Sequence, residues 1–557
     1  MKAQELILDA IYQHEAGRPG KVLLTQPLGG DKLADYTWGE TVEQARRMAA
    51  HLQSRGFTSG QIAILSKNCA HFFIAELAVW MAGCTTVAIY PTENASAIRF
   101  VLEHSDARLL FVGKLDNWEQ QASGVPEGLP CIALPLAPST KCETWDALIA
   151  RSAPMAGRPE REPEDLAMIM YTSGSTGQPK GVMLSFGAVS AAAHGIVRDV
   201  RQRVGAGEWR VLSYLPLAHS FERAYVESVA WVEGHCHVYF AESLETFIAD
   251  LNRARPTIFV SVPRLWLKFQ QGVFAKVPAR KLDRLLGIPL LGKRVGRKVL
   301  AGLGLDQTVV AASGSAPIPP PLIAWYRKLG LNLLEGYAMT EDFAYSHRST
   351  EKFNAPGYVG IPFDDVQVRI SDAGEILIKS PGQLSGYYKR PDLDAESFTT
   401  DGFFRTGDMG ERRADGLLKL TGRIKEQFKT AKGNYVAPAP IENLLNQHPM
   451  IETAMVSGVG CVAAYGLVVL TEELRPQLAD PAVRAEVQAQ LGKLLEHVNA
   501  ALPEYERLHM LVVAREPWSI ENGCLTPTMK IKRSRIESAV SAELDAWYAR
   551  RAPVIWA

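Results

Sequence analysis

The sequence predicts an α/β protein with a large N-terminal domain of layered α/β subdomains, a small β-rich subdomain attached to it, and a smaller α+β C-terminal domain. Three observations carry this expectation. Helix-like runs alternate with short apolar strands from residue 40 to 112, and again past residue 330. From Gly357 to Leu420 the texture changes to short strands between Gly, Pro and Asp turns. The basic, turn-forming stretch Gly422 to Val436 then precedes about 120 residues with their own helix and strand signals. At 557 residues the chain exceeds the size at which one core keeps growing, so the boundary is placed between 422 and 423, giving domains 1–422 and 423–557.

Taken in order, MKAQELILDAIYQHE carries acids among its apolar positions and reads as an amphipathic helix rather than an export signal. Helices are expected over Thr41 to Arg55 and His71 to Gly83, and strands over Ile62 to Leu65, Thr86 to Ile89 and Arg108 to Val112. His71 to Tyr90 is apolar enough to suggest a membrane span, but Glu76 interrupts it and the β-branched run after Gly83 suggests a buried helix turning into a strand. No transmembrane segment is therefore expected; peripheral contact with a membrane is left open. Pro126 to Pro163 reads as irregular surface chain, and Leu166 to Met170 as a strand. Trp231 to Phe240 reads as a buried strand, which leaves His235 and His237 without a third metal ligand nearby.

Composition excludes several classes. Sixty basic and sixty acidic side chains cancel, so no global field collects nucleic acid, and any polyanion must be held locally. Seven scattered cysteines without CxxC spacing argue against a disulfide framework and fit a reducing cytoplasm.

The strongest chemical signal is Tyr171 to Gly181, YTSGSTGQPKG, immediately after the strand LAMIM. Gly174, Gly177 and Gly181 let backbone amides approach a ligand, while Thr172, Ser173, Ser175 and Thr176 add hydroxyl donors and Lys180 a positive charge. Phosphate oxygens suit such a loop. It is not a Walker A loop, which needs Lys before Ser or Thr, and a flexible linker has no need for the Pro-Lys-Gly ending.

TSGSTGQPKG resembles the phosphate loop of the adenylate-forming superfamily, which comprises acyl-CoA synthetases, luciferases and peptide-synthetase adenylation domains. Further segments follow in that family's order: Tyr214 to His219 (YLPLAH), Ala312 to Pro317 (ASGSAP), Glu335 to Glu341 (EGYAMTE), Arg405 to Asp408 (RTGD), Gly422 to Lys425 (GRIK) and Leu525 to Lys530 (LTPTMK). The wording around Lys429 to Pro440 is most similar to bacterial long-chain fatty-acid:CoA ligases.

The resemblance implies ATP, Mg²⁺ and coenzyme A as cofactors, and a carboxylic acid, most readily a fatty acid, as substrate. It places Gly314, Ser315 and Ala316 on the adenine side, with Glu335, Gly336 and Tyr337 leading to a stacking ring and Thr340 reaching the α-phosphate. Thr176 and Glu341 become catalytic groups and metal ligands, Glu341 as a hard oxygen donor to Mg²⁺. Asp408 and Arg423 face the ribose, Lys429 and Gly433 the coenzyme-side loop, and Lys425 is the hinge of a mobile C-terminal domain. Lys530 stabilises charge at the α-phosphorus, and Lys532, Arg533 and Arg535 are read as surface or coenzyme-side charges. His219, Val262, Pro263 and Ala338 are expected at the acyl channel, His219 also as a catalytic residue. The expected activity is that of an acid–thiol ligase forming AMP. The rival readings are an acyl-AMP ligase that loads an acyl carrier protein, a ligase for an aryl or short-chain acid, and a non-catalytic nucleotide-binding module.

Overall fold

The computed structural model describes residues 5–173, 179–526 and 529–557. The chain divides into two compact units, Met1–Val368 with Ile378–Phe404, and Arg369–Leu377 with Arg405–Ala557. The expected boundary after residue 422 falls inside the second unit, because the strands Phe404–Arg412 and Leu418–Arg423 pair with each other.

The first unit is built on three sheets. The largest has eight strands, with Thr85–Ile89, Gln61–Leu65 and Ala107–Val112 running parallel in its middle. Both faces of these strands are covered, so they read as continuous apolar runs rather than alternating ones. The helix Trp38–Ser54 starts at Thr37, whose side chain accepts from the Glu40 amide while Glu40 reaches back to the Thr37 amide.

The helix Ala70–Met81 is buried along its whole length, and Gly83 (φ 93°) turns the chain directly into the strand Thr85–Ile89. A side chain at Gly83 would meet the Thr58 carbonyl at 2.6 Å, so only glycine fits this turn. Glu76 is tolerated inside the protein because Arg223, equally buried, hydrogen-bonds to it. Among the described residues no helix is long and apolar enough to cross a membrane.

Two expectations fail. Pro126 to Pro163 is not wholly irregular: Cys131–Ala133 and Glu143–Thr144 extend the large sheet, and the helix Trp145–Arg151 buries Trp145 completely. These elements are too short to show a period among their prolines and serines. Trp231 to Phe240 is not one strand either. Val229–Glu233 is helical, Gly234 (φ 68°) breaks it, and only Cys236–Phe240 is a strand.

A second sheet has four strands in the order Trp209–Ser213, Cys236–Phe240, Val22–Pro27, Leu33–Thr37. The third begins with Ile258–Ser261, Val310–Ser313 and Leu333–Tyr337, all parallel. In the second unit, Ile451–Ser457, Ala464–Leu470, Leu508–Val513 and Val554–Trp556 form one sheet over a core that includes Leu491, Val498 and Ile441.

Candidate active site

In the third sheet of the first unit, Ser261, Ser313 and Glu335 lie in register at the carboxyl ends of three parallel strands. Chain leaving these ends carries Val262 and Pro263, then Gly314, Ser315 and Ala316, then Gly336 to Thr340. Three stretches far apart in sequence thus emerge along one sheet edge, the edge where open α/β sheets hold ligands. Val262 caps a helix whose first residue is Pro263. Ser315 adopts φ 69° and, with Ala316, is exposed; Gly314 packs under Phe221, whose ring would lie 3.2 Å from an added side chain.

Glu335 is buried and turned inward. Its carboxylate accepts from the Ile318 amide, and burial pushes its pKa up to about 7. It holds the loop after Ala316 in place. Tyr337 is half-buried, its ring 5.8 Å from that of His347. Ala338 and Met339 follow, and the short 3₁₀ turn Thr340–Asp342 is closed by Asp342, which accepts from the Met339 amide at 3.0 Å. Burial raises the Asp342 carboxyl to about 8, so it serves this turn as a largely neutral group.

The Thr340 hydroxyl lies 3.3 Å from that of Ser220, the residue after His219. His219 caps the next turn, its Nδ1 accepting from the Phe221 amide at 3.1 Å, which leaves the ring proton on Nε2. Behind it, Glu222 accepts from the Tyr214 amide at 3.1 Å, and Asn68 donates to the Leu215 carbonyl at 2.7 Å and to Ser213. Glu222 is fully buried and burial pushes it up to about 8. The segment Tyr214 to His219 is therefore fixed from inside the protein. Arg223 then opens a π-helical turn, Arg223–Ser228, and binds Glu227 at 2.8 Å as well as Glu76; such turns recur at functional sites.

The phosphate-loop motif joins two antiparallel strands, Leu166–Ser173 and Pro179–Ser185, with Thr172 opposite Lys180 and Ser173 opposite Pro179. Gly174, Ser175, Thr176 and Gly177 lie outside the described residues. Gly181 is required by packing: an added side chain would come within 2.9 Å of Ile169. The Lys180 ammonium sits 5.2 Å from the ring centre of Tyr387, and the Tyr387 hydroxyl donates to Glu341 Oε1 at 2.9 Å. Gly386–Tyr387 is itself the edge strand beside Pro179–Ser185. One tyrosine thus links the loop lysine to the carboxylate of EGYAMTE.

Tyr387, Asp342, Glu222 and Asn68 went unnoticed in the sequence. Glu222 lies only three residues beyond His219, but nothing in its spacing signals burial, and Tyr387 lies 46 residues from its partner.

In the second unit, Asp408 and Arg423 face each other across an antiparallel pair, with Arg423 Nε donating to Asp408 Oδ1 at 2.8 Å. Asp408 is buried and Arg423 half-exposed. The preceding loop is anchored by Glu375, which accepts from the Gly407 amide at 3.1 Å. Lys425 is exposed in the 3₁₀ turn Ile424–Glu426. Lys429 and Tyr435 flank a tight hairpin in which Gly433 (φ 87°) donates to the Thr430 carbonyl at 2.9 Å; the Lys429 ammonium lies 5.5 Å from the Tyr435 ring centre. Lys530 is exposed on a turn where its amide donates to Thr526 Oγ1 at 3.0 Å. Arg533 departs from its reading as a surface charge: it is largely buried, pairs with Glu442 at 2.7 Å and donates to the Val456 carbonyl.

This fold, with a phosphate-type loop on the large sheet and a Thr-Glu pair at the carboxyl ends of another, defines a nucleotide-dependent activating enzyme. The chain belongs to the AMP-binding enzyme family: the family pattern matches residues 11–388 and that of the AMP-binding enzyme C-terminal domain matches 425–552. It is similar to the long-chain-fatty-acid–CoA ligase FadD15 of Mycobacterium bovis, 29% identical over 97% of this chain and 96% of that one. Long chain acyl-CoA synthetase 2 of Arabidopsis thaliana is 28% identical over 95% and 90% of the two chains. Among solved structures, the A-PCP didomain of carboxylic acid reductase from Segniliparus rugosus superimposes with a TM-score of 0.80 at 22% identity, covering 99% of this chain and 83% of that one. The anthranilate CoA ligase AuaEII gives 0.75 at 19% identity, covering 98% and 99%.

Proposed function

We propose that this chain is an AMP-forming fatty-acid:CoA ligase. A carboxylate attacks the α-phosphorus of ATP, giving acyl-AMP and pyrophosphate, and the coenzyme A thiol then displaces AMP. The observation that carries the reading is the Lys180–Tyr387–Glu341 linkage, in which one tyrosine contacts both a cation and the carboxylate that follows Thr340 in the chain. The near full-length similarity to long-chain fatty-acid ligases supports the substrate class.

Thr172, Ser173, Gly174, Ser175, Thr176, Gly177 and Lys180 hold the β- and γ-phosphates, and Gly314 to Ala316 with Glu335 to Tyr337 hold the adenine. Glu341, with Thr176, suits Mg²⁺, which characteristically takes one or two protein oxygens and completes its shell with phosphates and water; when bound, Mg²⁺ neutralises phosphate charge. Thr340 orients the α-phosphate, and Lys530 supplies charge as the pentavalent phosphorus develops. Asp408 and Arg423 receive the ribose hydroxyls. His219, Val262, Pro263 and Ala338 line the acyl channel. The mobile part begins at 423, within the second compact unit, and Lys425 is its hinge, in keeping with its exposed place in a short turn just after paired strands. Lys429 and Gly433 serve the coenzyme side, and the protein works in the cytoplasm.

The test is pyrophosphate release with acids from acetate to palmitate, aryl acids included, followed by mass detection of the coenzyme A thioester. Preference for aryl acids overturns the substrate class. Acyl-AMP without thioester, rescued by an acyl carrier protein, overturns the acceptor.

A further inference from the structure

The helices Ala279–Leu286 and Leu291–Gly302 of the first unit pack on each other as a hairpin. Their connection, Gly287 to Leu290, is apolar and exposed. Ile288 is 46%, Leu290 79% and Leu291 41% accessible. Leu290 also has φ 63°, a conformation that suits glycine, so a bulky side chain is held outward where folding alone would favour none. The charges around this tip are one-sided. Between Arg264 and Lys298 the sequence has ten lysines and arginines and a single carboxylate, Asp283, in a protein whose sixty bases and sixty acids balance as a whole. Asp283 is already paired with Lys328 at 3.2 Å.

Lys293 with Arg297, and Arg294 with Lys298, are four residues apart and exposed, while Gly292, Gly296 and Leu300 face inward. They form a cationic stripe along one face. On the other arm Lys281 and Arg284 are exposed and Leu282 is buried.

We infer that this hairpin docks on an anionic lipid bilayer, with Ile288 to Leu291 entering the headgroup–acyl boundary and the flanking lysines and arginines meeting lipid phosphates. Four consecutive exposed apolar residues flanked by cations fit an interfacial anchor. A nucleic acid would use the cations and leave the apolar tip in water, and an acidic protein would need matching apolar surface. The hairpin follows in sequence on the helix Pro263–Lys276, whose N-terminal end carries the segment assigned to the acyl channel. Only the reason for visiting a membrane rests on the fatty-acid reading; vesicle binding is read without turnover, and the two fail separately.

The test is sedimentation of the full chain with phosphatidylcholine vesicles, with and without phosphatidylglycerol, for three proteins. Wild type should sediment with the anionic vesicles. Replacing Lys293, Arg294, Arg297 and Lys298 by Ala should weaken this by about fivefold per charge removed at low salt. Leu290→Gly, which relaxes the backbone and should keep its melting temperature, should weaken it about tenfold or more. Wild type that ignores anionic vesicles while still turning over octanoate overturns the surface and spares the activity. Binding lost in the charge variant but unchanged in Leu290→Gly also overturns it, since the tip would then lie outside the interface.

Discussion

The Tyr387 hydroxyl donates to Glu341 Oε1 at 2.9 Å while the face of its ring lies 5.2 Å from the Lys180 ammonium. Burial and the Glu341 carboxylate both raise the phenol's pKa, so it stays a donor at all working pH values. Glu341 is thereby oriented by a group that never competes for its charge.

Tyr387→Phe should keep the lysine contact and release the carboxylate, raising KM for Mg·ATP, because a hydrogen bond to a charged group contributes about 1.5 to 3 kcal/mol. Tyr387→Leu removes both contacts and should lower kcat further. Pyrophosphate-release kinetics distinguish them; identical losses in the two variants would mean that the ring contact with Lys180 contributes nothing.

Lys530→Ala should abolish adenylation and leave thioester formation from supplied acyl-AMP nearly intact. A donor aimed at developing charge typically contributes about 3 to 4 kcal/mol. Equal losses in both half-reactions would contradict the role given to this lysine.

Glu222 provides a stability test. Its pKa in the folded protein is raised from 4.5 to about 8, so between these values the folded protein holds a proton that the unfolded chain has lost. Stability therefore falls as pH rises from 4.5 toward 8, and this contribution levels off above that. Glu222→Gln keeps the acceptor for Tyr214 and removes the titration. Urea midpoints across this window should show a shallower slope in the variant, by at most about 1.4 kcal/mol per pH unit. Glu227, also raised by burial, supplies part of the slope that remains.

Ala338, which follows Tyr337 in EGYAMTE, is proposed to line the acyl channel. Ala338→Gly should raise kcat/KM for longer acids, each extra methylene contributing up to roughly 0.8 kcal/mol. Ala338→Trp should leave only acids of a few carbons. An unchanged chain-length profile in both would remove this residue from the acyl channel.

Much of this was legible in the sequence. The buried helix before Thr85 and the parallel strands follow from apolar runs and one glycine, and the motifs EGYAMTE and YLPLAH do lie at neighbouring positions through Thr340 and Ser220. What stayed hidden depends on distance along the chain. Nothing near Tyr387 says that it will lie beneath Lys180, and nothing near Asn68 says that it will hold Leu215, because such pairings exist only once the sheets have formed. The strands Cys131–Ala133 and Glu143–Thr144 were missed for a different reason: two or three residues carry no period.

The edge position of Gly386–Tyr387 matters during synthesis. The strand Pro179–Ser185 pairs with it on one side, and roughly 200 residues separate the two, which a ribosome takes about 10 to 40 s to add. Throughout that interval the nascent chain presents an open strand edge next to its phosphate loop, a template for pairing with other chains. Protection in this window falls to the translation machinery and chaperones, and slowing codons placed before residue 386 would lengthen it.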